Sequence, residues 1–101
     1  MIRSLESQEN FYIIRFSDSE CVVLSNSYEE AACIGLKKII QSFGNRTNLS
    51  FWLSVDNIDS RNIETNLFYA PKVLHDIGYF NLAKNLANLS DFFLDKGKNP
   101  H

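Results

Sequence analysis

The run S-N-S-Y-E-E-A-A at 25–32 constrains this chain most. It closes a stretch of β-forming residues and opens a helix. Ser27 precedes Glu30 by three, the spacing of a capping box. There the serine hydroxyl accepts from the Glu30 amide, and the glutamate reaches back to the Ser27 amide. Glu29 and Glu30 also suit the positive end of a helix. Ala32, Leu36, Ile39, Ile40 and Phe43 then recur on one face of a 3.6-residue period, with Lys37, Lys38 and Gln41 on the wet side. Gly44 suits the left-handed residue that ends a helix. The spacing predicts a helix over 28–43.

Upstream, N-F-Y-I-I-R-F at 10–16 and E-C-V-V-L-S at 20–25 are rich in aromatic and β-branched residues, with turn formers Ser17, Asp18 and Ser19 between them. They read as an antiparallel hairpin. Tyr12, Ile14 and Phe16 share one face; Phe11, Ile13 and Arg15 share the other. Large apolar groups on both faces predict at least partial cover on both sides. Downstream, 49–56 alternates almost strictly. Leu49, Phe51, Leu53 and Val55 face one way, and Ser50, Trp52, Ser54 and Asp56 the other, as in a half-buried strand. A weaker alternation over 63–69 (Ile63, Thr65, Leu67, Tyr69) predicts a fourth strand. Pro71 suits the first turn of a short helix over 72–77, which Gly78 ends or bends. A longer helix follows over 79–95, with Leu82, Leu86, Leu89 and Phe93 on one face beside Ala83, and Gly97 as its terminator. The order is β-β-α-β-β-α(α). It predicts an α+β domain: a four-stranded, mainly antiparallel sheet with helices packed on one face.

The 101 residues make one domain, 1–101, with 1–9 and 98–101 expected to fray. Hydrophobic residues are 45% and charged residues 22%, enough apolar matter for a core and too little charge for disorder. The net charge of −2 is spread evenly, five basic and six acidic residues in 1–50 and the same again in 51–101. That excludes the basic footprint of a non-specific nucleic-acid binder. No apolar run approaches the ~18 residues that read as a membrane span. The start of the chain is polar, unlike a signal peptide. With only Cys21 and Cys33, a reducing cytoplasm is the expected location.

Chemistry is sparse. His75 and Asp76 are neighbours, and adjacent helical residues point about 100° apart, so they form no dyad. Cys21 lies in an apolar strand and Cys33 inside a helix, where a thiolate gains nothing from a helix N-terminus; both read as small buried hydrophobes. The cysteines and His75 match no zinc spacing. The acidic group Asp56, Asn57, Asp59 and Glu64 lacks the alternation and central glycine of a calcium loop. Gly35, Gly44, Gly78 and Gly97 stand apart, so no phosphate loop is present, and Gly35 reads as a point of close helix packing. A helix-turn-helix around Gly78 is disfavoured by Leu74 and Lys84 at its diagnostic positions. No catalytic, cofactor-binding or metal residues are predicted.

Trp52 fits core packing least well. It lies on the strand face opposite Leu53 and Val55, so helices that cover the latter leave it on the other side of the sheet. An exposed aromatic patch there marks a contact surface. Trp52, Phe11 and Tyr12 are the candidate interface residues.

The passages F-Y-I-I-R-F and E-C-V-V-L-S-N-S-Y-E-E-A-A resemble the opening of many small uncharacterised proteins of tailed phages and marine metagenomes, in which a hairpin precedes an S-x-E-E-A helix start. The resemblance spans about the first 45 residues. It implies an origin and a fold style, with no activity or site residues. The expectation is a small cytoplasmic accessory or structural protein (host cytoplasm if viral). It would act through protein contacts, self-associate as a homo-oligomer, and use no cofactor or membrane. A nucleic-acid regulator using the sheet face is the first alternative. An enzyme with a pocket around His75 is the last.

Overall fold

The computed structural model describes residues 9–43, 49–60 and 64–98, with the backbone alone for residue 43 and for 91–98. Strands β1 (Asn10–Phe16) and β2 (Ser19–Ser25) pair antiparallel in an unbroken register from Asn10↔Ser25 to Phe16↔Ser19. The loop between them is only Ser17 and Asp18. Ser17 takes a φ of 58° and Asp18 has no positive φ, the pattern of a type II′ turn, whose twist matches the strands it joins.

Helix α1 (Tyr28–Phe43) starts where the capping pattern places it. The Glu30 amide donates to Ser27 Oγ at 3.0 Å. The carboxylate of Glu30 reaches beyond Ser27 to two earlier groups. It accepts from the Asn26 amide at 3.0 Å and from the buried Ser25 hydroxyl at 2.7 Å. The last residue of β2 is thereby tied to the first turn of α1.

Strand β3 (Trp52–Asn57) pairs with the free side of β1, and β4 (Thr65–Tyr69) pairs with β3, both antiparallel. The sheet order is β2-β1-β3-β4. Strand β3 begins later than the alternation predicts because its partners run out: the β1 ladder ends at Phe16↔Leu53 and the β4 ladder at Trp52↔Tyr69. Leu49 is therefore exposed and does not join the buried row. Phe51 instead offers its carbonyl to the Ala70 amide at 2.8 Å, which satisfies a free donor at the start of α2 (Ala70–Asp76).

Pro71 occupies the first turn of α2, and a Schellman motif ends the helix. Gly78 N donates to His75 O at 3.1 Å and Tyr79 N to Leu74 O at 2.9 Å, with Gly78 at φ +95°. Helix α3 (Phe80–Lys98) follows. Gly97 lies within it and does not terminate it. The predicted terminator Gly44, strand residue Ile63 and side chain of Phe93 fall outside the described residues.

The core lies between one sheet face and the helices. Tyr12, Ile14, Phe16, Val23, Leu53 and Val55 from the sheet meet Ala32, Leu36, Ile39, Val73 and Leu74 from the helices. Gly35 sets the closeness of α1 to β1, since a Cβ there would stand 2.5 Å from Ile14 Cγ1. Helix α3 makes its main contact with α2. Among its described side chains Ala83, Leu86 and Ser90 are buried and Leu82 packs against the core, as the predicted row and Ala83 require, while Leu89 of that row is exposed. The architecture is α+β, as predicted.

Candidate functional site

Strand alternation puts the second face of the sheet opposite the helices, and among the described residues nothing covers it. The register builds it in rows. Leu24 and Phe11 stand opposite each other, then Val22 and Ile13 with Asp56 and Thr65, then Glu20, Arg15, Ser54 and Leu67, and finally Trp52 with Tyr69. The apolar members are unusually open: Leu67 is 63% exposed, Val22 53%, Trp52 52%, and Phe11 and Leu24 47% each. Ile58 adds to the same edge, its amide donating to Phe11 O at 3.0 Å. Trp52 is propped by Tyr69, ring centroids 5.3 Å apart and tilted by 58°.

At the centre, Arg15 bridges two neighbouring strands. Its Nη1 lies 2.8 Å from Asp56 Oδ2 and its Nε 3.3 Å from Glu20 Oε1. The Asp56 side chain is mostly covered, and its Oδ1 is buried with no hydrogen-bond partner. Among the described residues of this face, one cation held by two carboxylates leaves no positive charge to spare for phosphates.

Of the predicted interface residues, Trp52 and Phe11 lie on this open face. Tyr12 does not. It is 3% exposed on the helix side, its ring edge-on to Tyr28 at 5.1 Å. Its grouping with Phe11 and Trp52 is corrected, because adjacent strand residues point to opposite faces. The expected cover over both hairpin faces is also corrected among the described residues: only the Tyr12/Ile14/Phe16 side is covered. Val22, Leu24, Ile58 and Leu67 belong to the open face and were not singled out. The alternation of Val22 with Leu24, and of Leu67 with Tyr69, carried the signal, but it does not say which side the helices take.

The remaining candidates have structural work. His75 is exposed and packs edge-on to Phe80 at 4.8 Å, in an open groove of ≈ 460 Å³ that Cys33 also lines. Asp76 accepts from Lys72 at 3.3 Å, an (i, i+4) pair. Burial pushes the Cys33 thiol up, with Asp76 adding to the effect and Lys72 opposing it. Burial also raises Cys21, whose Sγ lies 3.5 Å from Gly35 O. Raised thiols are the opposite of what a nucleophilic thiolate requires. In the acidic segment, Asp59 Oδ2 accepts from Phe11 N at 2.8 Å and Asn57 Oδ1 from Asp59 N at 2.9 Å. These groups pin the end of β3 to the start of β1. Among the described residues no group of three or more His, Cys, Asp or Glu side chains is placed to hold a metal, and no helix is long and apolar enough to cross a membrane. Compared with protein-family models, curated proteins and solved structures, the chain matches none.

Proposed function

We propose that this chain is a protein-contact domain that self-associates through the open face of its sheet, as an accessory or structural component in the cytoplasm, of a host cell if phage-encoded. One observation carries the reading: Phe11, Val22, Leu24, Trp52 and Leu67 are all about half exposed or more, and the register places them on one sheet face. They form two apolar corners, Phe11/Val22/Leu24 and Trp52/Leu67, on either side of the Arg15 ion pairs, and exposed apolar surface of that kind marks interaction sites in monomeric domains. The exposed Trp52 beside Tyr69 supplies the aromatic type that interfaces are enriched in. The thiols of Cys21 and Cys33 are free, in keeping with a reducing compartment.

Sedimentation equilibrium over a wide concentration range tests the proposal. The wild type is expected at a multiple of the 11.6 kDa chain mass. The Trp52→Ala/Leu67→Asp variant, altered only on the exposed face, is expected at the chain mass with its fold intact. A wild type that stays monomeric at high concentration would refute self-association.

Stacking of single-stranded nucleic acid is the second reading, and Trp52, Tyr69 and Phe11 on one sheet face favour it. The pairing of Arg15 with two carboxylates opposes it. Salt-dependent retention on single-stranded RNA would decide for it.

A further inference from the structure

We propose that the outer edge of β2, with the groove between it and α1, is a strand-addition site for an extended peptide segment carrying an acidic residue. The inference concerns the backbone edge of β2, whose residues also carry open-face side chains, and does not depend on self-association through that face.

A two-residue loop closes on a hydrogen-bonded pair, here Phe16↔Ser19. Bonded and non-bonded pairs then alternate along the ladder. Ser19, Cys21, Val23 and Ser25 therefore turn their amides and carbonyls toward β1, and Glu20, Val22 and Leu24 turn theirs away from the sheet. Strand β2 is terminal in the sheet order, so among the described residues no strand meets those outward groups. Among the described residues most devices that usually blunt such an edge are missing, Glu20 being the strand's one charge. The strand is seven residues long, has no proline or lysine, and carries no bulge, since its register is continuous.

Beside this edge runs a groove of ≈ 530 Å³, lined by Glu20, Cys21 and Val22 of β2 and by Lys38, Ile39, Gln41 and Ser42 of α1. An edge strand bordered by a helix suits β-augmentation: backbone bonds supply affinity and alternate side chains enter the groove. Charge selects the occupant. Glu20 on the strand side shares Arg15 with Asp56, while Lys38 on the helix side has no ion pair among the described residues, so an acidic side chain seated against α1 complements Lys38.

The test uses the full chain and a bead-displayed library of random seven-residue peptides, counter-selected on the Val22→Pro variant. Proline at 22 removes an outward amide and leaves the β1 ladder intact. In the free protein, the amides of Glu20, Val22 and Leu24 are expected to exchange fast and those of Cys21 and Val23 slowly. Synthetic copies of enriched peptides should protect the outward amides and bind Val22→Pro about tenfold or more weakly, with Cys21 and Val23 still protected in that variant. Lys38→Glu should shift enrichment from acidic to basic peptides. Leu67→Asp should leave peptide binding unchanged, which separates this site from the open face. Lack of enrichment, or outward amides protected in the free protein at any concentration, would overturn the proposal. Protection that rises with protein concentration would assign the edge to a second copy instead.

Discussion

Glu30 joins the hairpin to the first helix through one carboxylate, and its ionisation follows from that position. The Asn26 amide and then the Ser25 hydroxyl hold its pKa below the ordinary value of 4.5, with burial opposing them weakly. A carboxyl lowered on folding adds stability above its unfolded pKa and loses it as pH falls through the folded value. Glu30→Gln should therefore cost stability near neutrality and little at strongly acidic pH, read from urea midpoints between pH 2 and 7. Gly35 makes a sharper prediction. A Cβ there meets Ile14, which is fully buried and cannot swing away, so Gly35→Ala should cost about 1–3 kcal/mol, seen as a lower urea midpoint at unchanged slope. The roles of Ser27 and Gly35 were legible in sequence, since capping spacing and a glycine on a packed helix are local signals. The reach of Glu30 to Ser25 and Asn26 was not, because it depends on how the chain leaves β2.

The elements divide by how their limits are set. The hairpin and α1 carry their own punctuation, and their predicted bounds match the structure within a residue. Strand β3 takes its limits from neighbours, so alternation from Leu49 overstated it. For α3, the sequence pattern favoured Leu82, Leu86 and Leu89 beside Ala83; Ala83, Leu86 and Leu82 do pack inward, while Leu89 is exposed and Ser90 is buried. The Schellman turn at Gly78 sets where α3 starts. That turn can be tested alone. Gly78 holds φ +95° with nothing within 4 Å of a Cβ position, so any loss is conformational. Gly78→Ala should cost about 1–2 kcal/mol, and Gly78→Asn less, since asparagine tolerates the left-handed region. Thermal unfolding of the two variants side by side reads the difference.

Over the whole molecule, the radius of gyration of 15.6 Å exceeds the ~13 Å of a compact chain of this length. Helix α3, roughly 28 Å long, makes its main contact with α2, and among the described residues no helix lies on the second sheet face. This is why the sequence could mark Trp52 as out of place but could not assemble the patch around it: strand order and helix placement are long-range properties. Self-association through that patch predicts a melting temperature that rises with protein concentration, a dependence the Trp52→Ala/Leu67→Asp variant should lose. The sheet order carries one more consequence, in the time domain. Strand β1 pairs on one side with its immediate successor β2 and on the other with β3, across all of α1. On the ribosome, chains grow at about 5–20 residues per second. The hairpin and α1 therefore leave the exit tunnel seconds before β3 can close the second edge of β1. Through that interval β1 stays open along one side, with only half of its eventual sheet to shelter Ile14 and Phe16.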